Sequence, residues 1–135
     1  MTTYNLEIIG NGNGKNGNPI PYTRVLSNKI RADGARYLEW QQFVRAQFST
    51  KYPKTIWIDG KKWGAPIRSG NHPVKAKCWI TFKDKSHGDA DNIFKGLLDA
   101  LLFQDKYVME FHVYAEYGPV GKVYIEVEVC DDIIN

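Results

Sequence analysis

Residues 75–102 carry two different hydrophobic periods back to back, and a chain that satisfies both is committed to a strand followed by a helix. Ala76, Cys78, Ile80 and Phe82 alternate with Lys75, Lys77, Trp79 and Thr81, the two-residue period of a strand with one buried face. Ile93, Phe94, Leu97, Leu98, Leu101 and Leu102 then recur at three- and four-residue steps as one stripe of an amphipathic helix. Asn92, Lys95 and Asp99 fall on the opposite face, toward solvent or a ligand. Between the two periods lie Lys83-Asp84-Lys85-Ser86-His87-Gly88 and then Asp89 and Asp91, one residue apart at the helix threshold. A carboxylate there can cap the unpaired N–H groups of the first turn.

The remaining chain supplies partners for that unit. Tyr4, Leu6 and Ile8 alternate with polar residues as a short strand. The glycine/asparagine run Gly10–Asn18 reads as a mobile loop, since the Lys-Ser/Thr pair of a phosphate-binding loop is absent. Pro19-Ile20-Pro21-Tyr22-Thr23-Arg24 is held extended by its prolines. From Asp33 to Phe48, Tyr37, Trp40, Val44 and Phe48 mark a second helix, with Leu38 and Phe43 widening its face. Ile56–Trp63 reads as a hairpin around Asp59-Gly60 with the basic tip Lys61-Lys62, flanked by Trp57 and Trp63. Such a projection suits contact with DNA or a partner chain, or packing on its own tryptophans. Met109, Phe111, Val113, Ala115 and Tyr117, then Val123, Ile125, Val127 and Val129, alternate around Gly118–Gly121 as an antiparallel hairpin. The expected architecture is α+β: a single domain over residues 1–135, with a mixed sheet of about four strands and both helices on one face.

Apolar and charged fractions of 43% and 24% are those of an ordinary soluble domain. No apolar run is long enough to span a membrane, and Met1-Thr2-Thr3-Tyr4 has no signal-peptide character. Cys78 and Cys130 lack metal-type spacing and read as reduced thiols, so a cytoplasmic location is expected. The net charge of +3 hides a division. Residues 1–85 carry 15 Lys/Arg against 5 acids, whereas residues 86–135 carry 3 Lys against 10 acids. Interleaved surfaces would explain the split, and so would a polyanion-binding face beside an acidic site.

If Asp89, Asp91 and Asp105 converge, hard oxygen ligands without a thiol or multiple histidines select Mg²⁺ or Mn²⁺. Such an ion can activate water against a phosphodiester, and Lys95, one turn from Asp91, can add positive charge at the phosphoryl oxygens. Asp99 lies roughly 12 Å from Asp91 by helix rise, too far to share one ion. The competing reading is purely structural: Asp89 and Asp91 cap the helix, and Lys95 pairs with Asp91 or Asp99. Spacing alone leaves both open.

Asp89-Ala90-Asp91-Asn92-Ile93-Phe94-Lys95, followed by Leu98-Asp99-Ala100-Leu101, resembles the D-x-D-N-x-x-K-x-x-x-D-x-L core of the RusA family of Holliday junction resolvases. More loosely, Gly17–Arg24 resembles the family's early proline-rich strand exit, and Gln104-Asp105-Lys106-Tyr107-Val108 its late acidic element, with Gln104 in place of the first acid. The resemblance implies a RusA-like fold and a Mg²⁺-dependent homodimeric endonuclease that cuts four-way DNA junctions symmetrically, often phage- or prophage-encoded. It implies catalytic and metal-binding roles for Asp89, Asp91 and Asp105, and a catalytic role for Lys95. Candidate DNA contacts are Arg24, Lys61, Lys62, Lys83 and Lys85, with Lys29, Arg31 and Arg36 as further basic residues. The alternatives are a catalytically silent DNA-binding or phage accessory protein and a nuclease for other branched DNA. His72, His87 and His112 read as loop or surface histidines, and Asp131-Asp132 as a solvated tail.

Overall fold

The alternating segments become strands because each can turn one apolar row toward a common core. In the computed structural model, which describes residues 1–12, 16–23 and 32–132, four strands form one sheet. They are β1 (Thr2–Ile9), β4 (Val74–Phe82), β5 (Val108–Tyr117) and β6 (Lys122–Val129). The helices are α1 (Ala32–Lys51) and α2 (Ala90–Leu101). The two-residue strands β2 (Ile58–Asp59) and β3 (Lys62–Trp63) form a separate hairpin.

Leu6 and Ile8 of β1, Val74 to Phe82 of β4 in alternation, and Val123, Ile125 and Val127 of β6 are buried against the helices. Tyr37, Trp40, Val44 and Phe48 of α1 meet the whole apolar stripe of α2 in the same cluster. The aromatic stripe of α1 is therefore core. The sheet is mixed and both helices lie on one face, the expected α+β architecture.

The strand order is β1-β6-β4-β5, which corrects the expected hairpin between the last two strands. β6 inserts between β1 and β4, antiparallel to both, while β5 runs parallel to β4 at the sheet edge. Burial accounts for the order. Val123, Ile125 and Val127 are at most 1% exposed, as a central strand requires, whereas no residue of β5 is buried. β4, α2 and β5 thus form a β-α-β crossover, and the short link Gly118–Gly121 carries the chain across the end of β4, where Gly118 N–H donates to Phe82 O (2.9 Å).

The expected hairpin forms, but its loop is Gly60-Lys61 rather than Asp59-Gly60, because Asp59 pairs with Lys62 and Gly60 takes φ 63°. It is stapled to α1: Trp63 N–H donates to Gln42 Oε1 (2.7 Å), and Trp63 O accepts from Gln42 Nε2 and Arg45 Nη1 (3.0 Å each). Cys78 and Cys130 are free thiols. Among the described residues no helix is long and apolar enough to cross a membrane.

Candidate nucleic-acid interface and acidic site

The doubly acidic stretch lies where β4 leaves the sheet and α2 begins. Asp89 occupies the N-cap position with extended backbone (φ −69°, ψ 141°), yet its side chain makes no capping bond. Among the described residues, Asp91 accepts only the adjacent Asn92 N–H at Oδ1 (2.9 Å). Both carboxylates are exposed, and among the described residues neither has an ion-pair partner. Lys95 does not form the i,i+4 pair with Asp91 or Asp99. Its Nζ sits 4.3 Å from the Tyr22 ring centroid, a cation–π contact that aligns it with the first turn of α2.

Asp99 has a different role. Its Oδ2 accepts from Tyr37 Oη (2.7 Å) and Gln41 Nε2 (2.8 Å), tying α2 to α1. Burial, then the adjacent Asp99, pushes the Tyr37 hydroxyl well above its ordinary range, so Tyr37 remains the donor. Arg45 completes the clamp through Ala100 O (2.8 Å) and Asp99 O (3.2 Å). The polar face of α2 is therefore split between a free first turn and a last turn spent on packing.

The proline segment reaches this site. Tyr22 N–H donates to Asn92 O (3.0 Å), and Pro21 packs so closely on Gly88 that a Cβ there would lie 2.7 Å from Pro21 Cγ. Asn18, placed by the sequence in a mobile loop, is 9% exposed and organises the approach to Asp89. Its Nδ2 donates to Asp84 Oδ1 (2.9 Å) and Ser86 O (2.8 Å), while its Oδ1 accepts Lys83 N–H (2.7 Å). An asparagine in a Gly/Asn run carries no local signal of such distant bonds. His87 is likewise no free loop histidine. It stacks on Phe82 at 3.6 Å between centroids, and Nε2 lies 2.8 Å from Tyr117 Oη. Nδ1 lies 2.7 Å from Gly88 O, which can only accept, so Nδ1 carries the proton.

Together these segments border a cleft of about 560 Å³, lined by Asn18, Pro21, Arg36, Lys83, Lys85 and His87 among others, leading toward the Asp89 turn. Lys83, Lys85 and Arg36 are exposed cations. Arg24, Lys29 and Arg31 lie outside the described residues. Lys61 and Lys62 are exposed on the hairpin, which Arg45 bridges to the last turn of α2, so they occupy the other end of that helix from Asp89.

Asp105 does not join Asp89 and Asp91 within one chain. Parallel pairing sets Val108 opposite Val74, so the turn Asp105–Tyr107 adjoins the start of β4, where Tyr107 Oη donates to Asn71 Oδ1 (3.0 Å). Asp89 lies beyond the other end of that nine-residue strand, which spans about 26 Å. Among the described residues no three acid, histidine or cysteine side chains are grouped to hold a metal ion. The donor set in one chain is thus two adjacent carboxylates, suited in type to Mg²⁺ or Mn²⁺ but short of a third protein ligand. His72 lies in a loop with Nδ1 buried and, among the described residues, without a hydrogen-bond partner; His112 is exposed beside Glu110, and Asp131 pairs with the chain's amino terminus.

No family model matches the chain, and no curated protein matches it.

Proposed function

We propose that this chain is a RusA-like, divalent-metal-dependent endodeoxyribonuclease for branched DNA, with four-way junctions as its substrate and a homodimer as its working form. One observation carries the reading. Next to a basic cleft that reaches Gly88, two exposed carboxylates make no capping bond and, among the described residues, no ion pair, and a lysine one turn away makes no ion pair among them either. A cap-and-pair role would use these groups, and their having neither partner among the described residues supports the catalytic reading.

In this reading Arg36, Lys83 and Lys85 draw the phosphate backbone into the cleft by charge. Asn18 keeps the 83–86 segment in position, and Asp89 and Asp91 would hold Mg²⁺ or Mn²⁺ as oxygen donors. The cation, when bound, supplies Lewis acidity at the scissile phosphate. Lys95, steered by the Tyr22 ring, places its ammonium beside the phosphoryl oxygens, where charge builds during cleavage.

The test is Mg²⁺-dependent cutting of a synthetic four-way junction, compared with forks, flaps and linear duplex. Asp91→Asn should lose cleavage by at least two orders of magnitude while still binding the junction. Full cleavage by that variant would refute the site. A DNA-binding module without catalysis is favoured by the remoteness of Asp105 from Asp89 and Asp91. It predicts junction binding without nicking by the unaltered chain, in the same gel.

A further inference from the structure

The segment between α1 and β4 lies at the far end of α2 from the acidic turn, and its side chains are poorly buried. Ile56, Trp57 and Ile58 enter the hairpin 48–55% exposed, and Phe103, just past α2, is 55% exposed. Neighbouring apolar side chains left together in water mark a contact surface.

Backbone bonds hold this surface in shape. Ile67 N–H donates to Leu101 O (2.8 Å) and Phe103 N–H to Ile67 O (2.9 Å), which pins the chain before Arg68 to the end of α2. Gly64 N–H donates to Trp57 O (2.7 Å), and a Cβ on Gly64 would overlap the Trp57 ring. Arg68 joins the two halves. Its guanidinium carbon lies 3.9 Å from the Trp57 ring centroid and 4.1 Å from that of Phe103. A guanidinium stacked on rings keeps its N–H edge available for phosphate. Among the described residues Arg68 has no ion-pair partner.

Charge selects what this surface meets. Residues 51–72 carry five Lys/Arg against one acid. That acid, Asp59, is set opposite Lys62 across the hairpin. Lys54, Lys61 and Lys62 are exposed. Cations placed among open rings match a ligand that offers phosphates and flat bases together. In a duplex the base faces are already stacked on one another, so only unpaired nucleotides can use the rings.

We propose that Trp57, Arg68 and Phe103 form a stacking platform for an unpaired nucleotide strand, with Lys54, Lys61 and Lys62 along its phosphates. The binding stands by itself, whereas its bearing on branched DNA rests on the nuclease reading. The 12 residues of α2 separate the platform from the acidic turn by about 18 Å. That is about five nucleotide steps of roughly 3.4 Å. A strand freed at a branch point is thus held at the platform while a paired arm lies at the carboxylates. Linear duplex offers no such strand.

The test uses the full chain in EDTA, with labelled oligothymidylate, oligouridylate and a blunt duplex as probes. Trp57→Ala should weaken oligothymidylate binding about tenfold, and so should Phe103→Ala, each with unchanged circular dichroism. Trp57→Phe keeps a flat ring and should bind within about twofold of the unaltered chain. Duplex affinity should not change in any of the three. The same loss with oligouridylate assigns the platform to single strands of either sugar, and a loss with oligothymidylate alone assigns it to DNA. Folded Trp57→Ala and Phe103→Ala chains that bind oligothymidylate as tightly as the unaltered chain would overturn the platform and leave the hairpin to a protein partner. Equal losses on duplex and single strand would overturn it too, as an effect of charge or folding. An unaltered chain that binds oligothymidylate through Trp57 but cuts no branched DNA would refute only the nuclease reading.

Discussion

Replacing Asp99 separates the packing carboxylate of α2 from the proposed catalytic ones. Asp99→Ala removes the acceptor of two hydrogen bonds, from Tyr37 Oη (2.7 Å) and Gln41 Nε2 (2.8 Å). Tyr37 is 2% exposed and Gln41 9% exposed, so neither donor gains water freely. Each bond to a charged acceptor contributes about 1.5–3 kcal/mol when buried. The carboxylate itself is exposed, which halves that figure or more, and Tyr37 Oη and Gln41 Nε2 retain their mutual contact at 3.5 Å. The expected loss is about 2 kcal/mol for Asp99→Ala and about 1 kcal/mol for Asp99→Asn, whose amide oxygen can still accept one of the bonds. Urea unfolding followed by tryptophan fluorescence reads this as a lower midpoint at unchanged m-value, with Trp40 in the core as reporter. A double-mutant cycle with Tyr37→Phe should return a coupling of about 1 kcal/mol. Asp91→Asn, at an exposed residue with one local bond, should stay within about 0.5 kcal/mol of the unaltered chain. An Asp99→Ala variant as stable as the unaltered chain would refute this account of α2. So would an Asp99→Asn variant that folds normally but has lost cleavage.

Two further outcomes follow from the same structure. Junction affinity should fall steeply with salt, and Lys83→Ala and Lys85→Ala should each lower the log–log slope by about 1; a flat response would exclude nucleic acid as partner. Stability should decline in alkali. Burial raises the Cys78 thiol from 9.0 to about 12, and burial with Asp99 raises Tyr37 above 10.0. Groups raised on folding stabilise fully below their unfolded values and lose that contribution as pH rises toward the folded ones. Cys78→Ala should therefore flatten the pH dependence of the urea midpoint between about 9 and 12 by one proton's worth. An unchanged slope would place the thiol in contact with water.

Local pattern accounts for much of what the sequence revealed. The stripes of α1 and α2 and the alternation of β1, β4 and β6 were readable because burial repeats at the period of the element itself. The hairpin at Gly60 was readable because turn chemistry involves immediate neighbours, and the helix start near Asp89 because the apolar stripe of α2 begins just after it, although Asp89 makes no capping bond. The acidic character of the first turn of α2 came into view as residue types at a helix threshold, but whether those carboxylates cap the helix was decided by the structure.

Partners remote in sequence left no such trace. Alternation in β5 and β6 is compatible with pairing to each other or to β4, and only competition for the buried centre of the sheet sends β5 to the edge. Asn18, Tyr22 and His87 act through bonds to atoms far along the chain or through ring stacking, none of which has a sequence period. Asp99 and Asp91 look alike on a helical wheel, and the arrival of Tyr37 and Gln41 beside one of them separates packing from chemistry. Asp105 is the clearest case. The family resemblance implied one site with Asp89 and Asp91, whereas parallel pairing of β4 and β5 places it a strand's length away. The sequence by itself determined which elements form and which faces they bury, because those depend on neighbours three or four residues apart. Strand order, and with it which charges meet, was decided only by the tertiary structure, because those contacts link segments that no local period relates.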